Sequence, residues 1–193
     1  CVGHARCEQS CFDGVKAHRG IINRLLDEMH RPAMPYKFKF KFSGCGNDCV
    51  NAIHRADFAV IGTWRDDIII KQDMVKAHIE EKGRKYTIDT VVSMCPTRAI
   101  SLNDDDTMEI DNKSCVRCMH CINVMPRALR VGKEQGFTIC VGAKAPIVDG
   151  DQFAVMTIPY MKVHRDTDLD EVIDIISNIW DRWGVVGRTR ALA

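Results

Sequence analysis

The chain has 193 residues, enough for one core or for a core carrying a small insertion, and it is 46% hydrophobic and 27% charged, as a globular domain is. Its net charge of +1 gives no general electrostatic drive toward nucleic acid or an acidic membrane surface. No apolar run approaches the roughly 20 residues that span a bilayer; the longest, such as Phe58–Ile61 and Phe153–Met156, are strand-sized and read as buried.

Cysteine is the outlier, with 10 among 193 residues. That density is below that of small disulfide scaffolds, and a chain this long needs no staples to hold a core. Clustered Cys-x-x-Cys spacing reads instead as metal binding in a reducing compartment, and hence as a cytoplasmic protein. Cys1 stands where an initiator Met would, which is expected of a processed chain or of an internal piece of a longer polypeptide.

Residues 1–31 read as helical after the first turn: Ile21, Ile22, Leu25, Leu26 and Met29 recur at helical spacing, and Pro32 and Pro35 mark the end. The strict alternation from Tyr36 to Phe42 predicts a strand with Tyr36, Phe38, Phe40 and Phe42 on one face and Lys37, Lys39 and Lys41 on the other. Ser43-Gly44 breaks it just before Cys45. Phe58–Thr63 reads as a second strand and residues 66–82 as a helix, and an acidic turn falls at Asp104–Asp106. Phe137–Val141 and Phe153–Tyr160 read as strands, separated by Gly142-Ala-Lys-Ala-Pro146. Leu169, Val172, Ile173, Ile176, Ile179, Trp180 and Trp183 form one helical stripe, which Gly184 is expected to stop. Mixed elements in this order predict an α+β domain with an insertion.

Cys115-x2-Cys118-x2-Cys121 is the strongest motif by spacing. Three thiolates on a short winding loop suit three irons of a cubane, and a distant cysteine closes the fourth position. Cys95, followed by Pro96, is the natural fourth. An internal repeat supports the pairing. Two-cluster ferredoxins read C-x2-C-x2-C-x3-C-P in each half, the last cysteine serving the other half's cluster. Aligned on the prolines, one copy here gives Cys115, Cys118, Cys121 and Met125-Pro126, and the other Lys85, Ile88, Val91 and Cys95-Pro96. One complete four-cysteine site survives across the two copies. Four thiolates also suit zinc, but structural zinc takes paired knuckles rather than a triplet plus Cys-Pro. His120, inside the loop, is expected to be solvated and not a ligand.

Cys1-x5-Cys7 and Cys45-x3-Cys49 form a different set. Taken alone the first pair is weak, and Cys7 with Cys11 would serve equally well as a C-x3-C pair. The lysines next to Cys45 concentrate positive charge, which would be costly without an anion to receive it. A solvated edge strand that uses lysines to deter pairing is the plainer explanation without the cysteines, but next to Cys45 the anion-binding role is favoured.

The combined pattern C-x5-C…C-x3-C resembles the siroheme–4Fe-4S signature of sulfite and nitrite reductases. With Lys-Phe-Lys-Phe-Lys-Phe-Ser-Gly-Cys45 and Arg117-Cys-Met-His-Cys-Ile-Asn-Val-Met-Pro-Arg-Ala-Leu129, essentially the whole chain resembles the dissimilatory sulfite reductases, specifically their alpha subunit. The resemblance implies an α+β siroheme-type domain over residues 1–70 and 135–193, with a ferredoxin-like 4Fe-4S domain inserted at 71–134. It implies two 4Fe-4S clusters: one on Cys1, Cys7, Cys45 and Cys49, with Cys49 bridging to siroheme iron, and one on Cys95, Cys115, Cys118 and Cys121. It implies that Lys37, Lys39 and Lys41 serve sulfite and siroheme, joined more weakly by Lys144 near the tetrapyrrole carboxylates. The implied activity is six-electron reduction of sulfite, with electrons arriving through the inserted ferredoxin. The implied partners are a beta subunit in an α2β2 assembly and a small sulfur-carrier protein. The alternative is a structural or electron-transfer subunit whose tetrapyrrole site is inactive, the beta subunit doing the chemistry. Cys11 and Cys140 are left over and expected to be buried and inert.

Overall fold

The computed structural model describes residues 1–30, 37–144, 150–162 and 169–186. The chain opens with a 3-10 turn at Gly3–Ala5, and helix begins only at α1 (Gly14–Arg24), followed by α2 (Leu26–His30). The late start has a local cause. The Asp13 carboxylate accepts the Lys16 N–H at 3.0 Å and caps the helix, so the preceding residues are left as turns. Pro32, Pro35 and Tyr36 lie outside the described residues.

Next come β1 (Phe40–Ser43), the short α3 (Ala52–Arg55), β2 (Phe58–Trp64), β3 (Ile69–Ile70), α4 (Gln72–Lys82) and α5 (Arg84–Thr87). After a π-helical turn at Ile88–Val92 follow β4 (Ile100–Leu102), β5 (Met108–Ile110), α6 (His120–Val124), β6 (Leu129–Arg130), β7 (Gln135–Val141), β8 (Val155–Lys162) and α7 (Asp170–Val186).

Four strands form the main sheet in the order β1-β2-β7-β8. β1 runs parallel to β2, and the other two pairings are antiparallel. Parallel neighbours need a crossover rather than a hairpin, and here the crossover is the segment that carries Cys45, Cys49 and α3. β1 is shorter than the alternation predicts. Lys37–Lys39 is not strand, because the Asp57 carboxylate, in place of a strand neighbour, accepts the Lys39 N–H at 2.7 Å. The faces nevertheless separate as expected: Phe38, Phe40 and Phe42 all join the core under α1 and α7.

That core holds Phe12, Ile21, Phe42, Phe58, Val60, Phe137, Ile139, Val172, Ile176 and Trp180. The helical stripe on α7 supplies its lid, with Phe40 and Phe38 edge-on to Trp180. Gly184 does not stop α7, which continues to Val186; buried Val172, Ile176 and Trp180 hold the helix in place, and one glycine costs only about 1 kcal/mol. A smaller core of Ala52, Ala56, Ala59, Cys140 and Ala154 covers the sheet's other face. Phe153 and Met156 are 65% and 61% exposed, so the expectation of a buried run there is overturned: β8 is an edge strand.

Residues 65–134 lie between paired strands β2 and β7, and the Arg65 N–H bonds the Glu134 carbonyl at 2.9 Å across the neck. Most of a separate core belongs to this segment, including Ile68, Val75, Ile79, Val91, Met108, Ile122, Met125 and Leu129. The helix expected over 66–82 begins only at Gln72. The β-branched Ile69–Ile70 pairs with β6 instead. The acidic turn is the tip of the β4–β5 hairpin, with Asp106 in the left-handed region at φ 61°.

Candidate metal centres

The mid-chain segment gathers four thiols. Cys95, Cys115, Cys118 and Cys121 line one pocket, whose walls include Trp64, Ile68, Val91, Ile110 and Ile122. Arg117 and Met119 sit at φ 56° and 69°, so the chain between the cysteines winds through left-handed conformations. Among the described residues no three or more His, Cys, Asp or Glu side chains gather as the ligands of one metal ion would. Four thiols around a shared apolar space are a donor set that suits either zinc or a 4Fe-4S cluster.

Burial, then the neighbouring Cys115 and Cys118, push the Cys121 thiol up to about 11. At Cys95 burial also raises the pKa, but N–H donors from Ala99 (3.3 Å to sulfur), Thr97 and Arg98, together with the Thr97 hydroxyl, outweigh it and the net shift is down. Ionising such a set in an apolar pocket demands a compensating positive charge, which a bound metal group would supply.

Val91 and Met125, the non-cysteine positions of the two aligned copies, are 0% and 1% exposed and fill the core. The residues after each proline, Ala99-Ile100 and Ala128-Leu129, are buried and lead into β4 and β6. His120 is not solvated as expected. Its Nε2 lies 2.7 Å from the Thr90 carbonyl oxygen, tying the loop to the π-helical turn.

The other cysteines meet where the N-terminal turns pack against the end of β1. The Gly3 and Gly44 N–H groups both donate to Cys1 Sγ at 3.4 Å. Charge on Cys7 or Cys49 would act on Cys45, which is 3% exposed and whose pKa is raised, first by burial. Asn47 offsets part of that by donating its backbone and side-chain N–H groups to the Cys45 sulfur. Close approach of this turn to β2 requires Gly62, where a Cβ would fall 2.0 Å from the Gly44 carbonyl oxygen. Cys49 follows Asp48, at φ 44°, whose carboxylate caps α3 by accepting the Ala52 and Ile53 N–H groups at 2.8 and 2.9 Å. Cys11 and Cys140 are each 2% exposed, and burial raises both pKa values, that of Cys11 to about 12. Cys11 is nonetheless close enough to Cys45 and Cys7 for their charge to act on it.

The lysines separate. Lys37 and Lys39 are exposed, whereas Lys41 is half-buried and its ammonium donates to the Val50 carbonyl at 2.7 Å, one residue from Cys49. Lys39 lines a polar pocket with His54, Arg55, Asp57 and Ala143, and exposed Lys144 follows Ala143. Sequence reasoning missed His54 and Arg55. A basic pair on the short helix just after Cys49 was the available signal. His54 Nε2 meets the Asp151 carboxylate at 2.8 Å, and its ring lies 5.3 Å from that of Phe153.

A mixed sheet with a thiol-lined segment set between two of its strands, and a second thiol group at the strand crossover, defines a cysteine-rich redox domain. The chain belongs to the nitrite and sulphite reductase 4Fe-4S domain family, whose model matches residues 1–192. It is 52% identical to the dissimilatory-type sulfite reductase subunit alpha of Allochromatium vinosum, over 97% of this chain and 45% of that one. It is 45% identical to the same subunit of Nitratidesulfovibrio vulgaris, over 98% of this chain and 46% of that one. A crystal structure of dissimilatory sulfite reductase I superposes with a TM-score of 0.90 at 45% identity, covering 100% of this chain and 46% of that one. The chain thus spans less than half the length of these relatives.

Proposed function

We propose that the chain is the cluster-bearing part of a dissimilatory-type sulfite reductase alpha subunit. The observation that carries this reading is the presence of two separate thiol groups, one lining an apolar pocket and one at the crossover between β1 and β2 that leads into α3. Cys95, Cys115, Cys118 and Cys121 would hold one 4Fe-4S cluster, and Cys1, Cys7, Cys45 and Cys49 the other, with Cys49 toward siroheme. Both sets fit: the first lines an apolar pocket and receives the Ala99 N–H at Cys95, and the second receives the Gly3 and Gly44 N–H groups at Cys1, contacts that stabilise thiolate. When bound, siroheme and its cluster would deliver electrons to sulfite sulfur.

The chain's own residues supply charge and position. Lys39 and Arg55, with Lys144 nearby, offer cationic groups to carboxylates and to an oxyanion in a pocket that also holds Asp57, while His54 is engaged by Asp151 and Asn51. Lys37 lies on the same side of the alternation and adds charge at the rim. The Lys41–Val50 bond fixes the backbone next to Cys49. A beta subunit in an α2β2 assembly and a small sulfur-carrier protein are the partners this reading implies. Oxygen-sensitive clusters would place the enzyme in a reducing cytoplasm; among the described residues no helix is long and apolar enough to cross a membrane.

The test is anaerobic purification of the parent subunit with its partner, followed by iron, acid-labile sulfide and the visible spectrum. About eight cluster irons per chain with siroheme bands are expected. About four irons without tetrapyrrole would remove the assignment of Cys1, Cys7, Cys45 and Cys49.

One observation favours a second reading, in which this subunit's tetrapyrrole site is structural: the Lys41 ammonium is already engaged by Val50. Lys39→Ala with Lys41→Ala separates the two. Loss of sulfite turnover with siroheme retained supports the catalytic site, and unchanged turnover supports the structural one.

A further inference from the structure

The two thiol groups are not merely in one chain; their loops touch. Asn47 and Asn123 exchange amide hydrogen bonds, Asn47 Nδ2 to Asn123 Oδ1 at 3.0 Å and Asn123 Nδ2 to Asn47 Oδ1 at 2.7 Å. Asn47 stands two residues after Cys45 in the turn that the Asp48 N–H closes on the Cys45 carbonyl, and Asn123 stands two residues after Cys121 on α6. Beside this clasp, a Cβ at Gly46 would lie 2.9 Å from the Arg117 carbonyl oxygen and 3.2 Å from Met119 Cγ. Arg117 and Met119 flank Cys118. Only a residue without a side chain lets the Cys45 turn approach the Cys115–Cys121 loop this closely.

We propose that Gly46, Asn47 and Asn123 are positioning residues that form the electron-transfer junction between the two cysteine sets. The inference rests on the reading that both sets hold clusters, and it adds where the electron crosses. With clusters held by the two cysteine sets, one electron from an outside reductant such as dithionite would pass from the set of Cys95, Cys115, Cys118 and Cys121 to the set containing Cys45, the first being reoxidised as the second is reduced, with no bond made or broken. Electron tunnelling weakens exponentially with the gap, and hydrogen-bonded contacts carry it better than open space. The reciprocal amides and the missing Cβ therefore set the rate by holding the gap short.

Two variants separate this from a purely structural role. Asn123→Ala removes the clasp at an exposed position outside both pockets, and Gly46→Ala drives a methyl group against the Arg117 carbonyl oxygen and the Met119 side chain. In the parent subunit with its partner, iron is counted first. Dithionite reduction is then followed by rapid-freeze EPR to time the second site after the first, and the spin–spin coupling of the fully reduced protein is recorded. With full iron, Asn123→Ala is expected to slow transfer several-fold and to weaken the coupling, while Asn123→Asp, which still accepts from Asn47 Nδ2, falls in between. Unchanged rate and coupling in Asn123→Ala would overturn the junction, whatever the stability of Gly46→Ala. About four irons in the unaltered protein would overturn the two-cluster reading itself, and the junction with it.

Discussion

Asp48 shows how much one side chain does near Cys49. It occupies a left-handed backbone position between two candidate ligands, and its two carboxylate oxygens accept the first free N–H groups of α3. Its own N–H donates to the Cys45 carbonyl at 3.1 Å, closing the turn. Replacing an N-terminal cap of this kind by Ala costs roughly 0.5–2 kcal/mol. Asp48→Ala is therefore expected to lower the melting temperature modestly and to reduce iron at the Cys45 and Cys49 set, leaving the mid-chain set filled. Iron analysis beside a melting curve checks it, and unaltered iron would show that the turn holds without its cap. At this scale the sequence was informative about ligands and poor about supports. Cysteine spacing is local and survives reading in one dimension. The residues that bear on the thiols from a distance, such as Gly62 under the Cys45 turn or Asn123 opposite Asn47, are ordinary residues until the fold places them.

At the scale of elements, α7 and β2 were legible because their periodicity answers to burial on one face or both. The ends were less so. β1 is cut short at Lys39 by an interaction between residues 18 apart in sequence, the Lys39 N–H with the Asp57 carboxylate, which no alternation pattern contains. α7 passes through Gly184 because packing outweighs propensity. The parallel crossover from β1 to β2, which presents Cys45 and Cys49, could not be read from two apolar runs alone. Asp57, at its far end, offers a pH test. Burial raises its pKa above the ordinary 3.8, and the Lys39 N–H and charge only partly offset that. Between 3.8 and the raised value the folded protein holds a proton that the unfolded chain has lost. Stability should then fall as pH rises through that window and stay lowered above it. Asp57→Asn keeps an acceptor for the Lys39 N–H and should abolish this fall. Denaturation of both proteins across acidic pH checks it; parallel curves would show that the carboxyl is not strained by burial.

Across the whole molecule, the two larger cores share β2. Phe58 and Val60 face the core under α1 and α7, while Trp64, at the strand's end, belongs to the mid-chain core and lines the thiol pocket. Trp64 is 2% exposed, the Arg117 guanidinium lies 6.0 Å from its ring centre, and it also crowds Gly132 on the returning chain. It is thus a buried side chain through which the sheet and the segment between β2 and β7 feel one another. A large-to-small change there costs about 3–5 kcal/mol. Trp180→Ala, in the other core, carries a similar penalty and serves as the comparison. If β2 transmits cohesion through Trp64, Trp64→Ala should do more than destabilise: iron release from the mid-chain set and loss of sheet circular dichroism should separate into two transitions. Trp180→Ala should lower a single coincident transition instead. Coincident curves in Trp64→Ala would place the coupling elsewhere, in the Cys45 turn and its contact with the Arg117–Met119 loop, which would then bind the two halves mechanically as well as electronically.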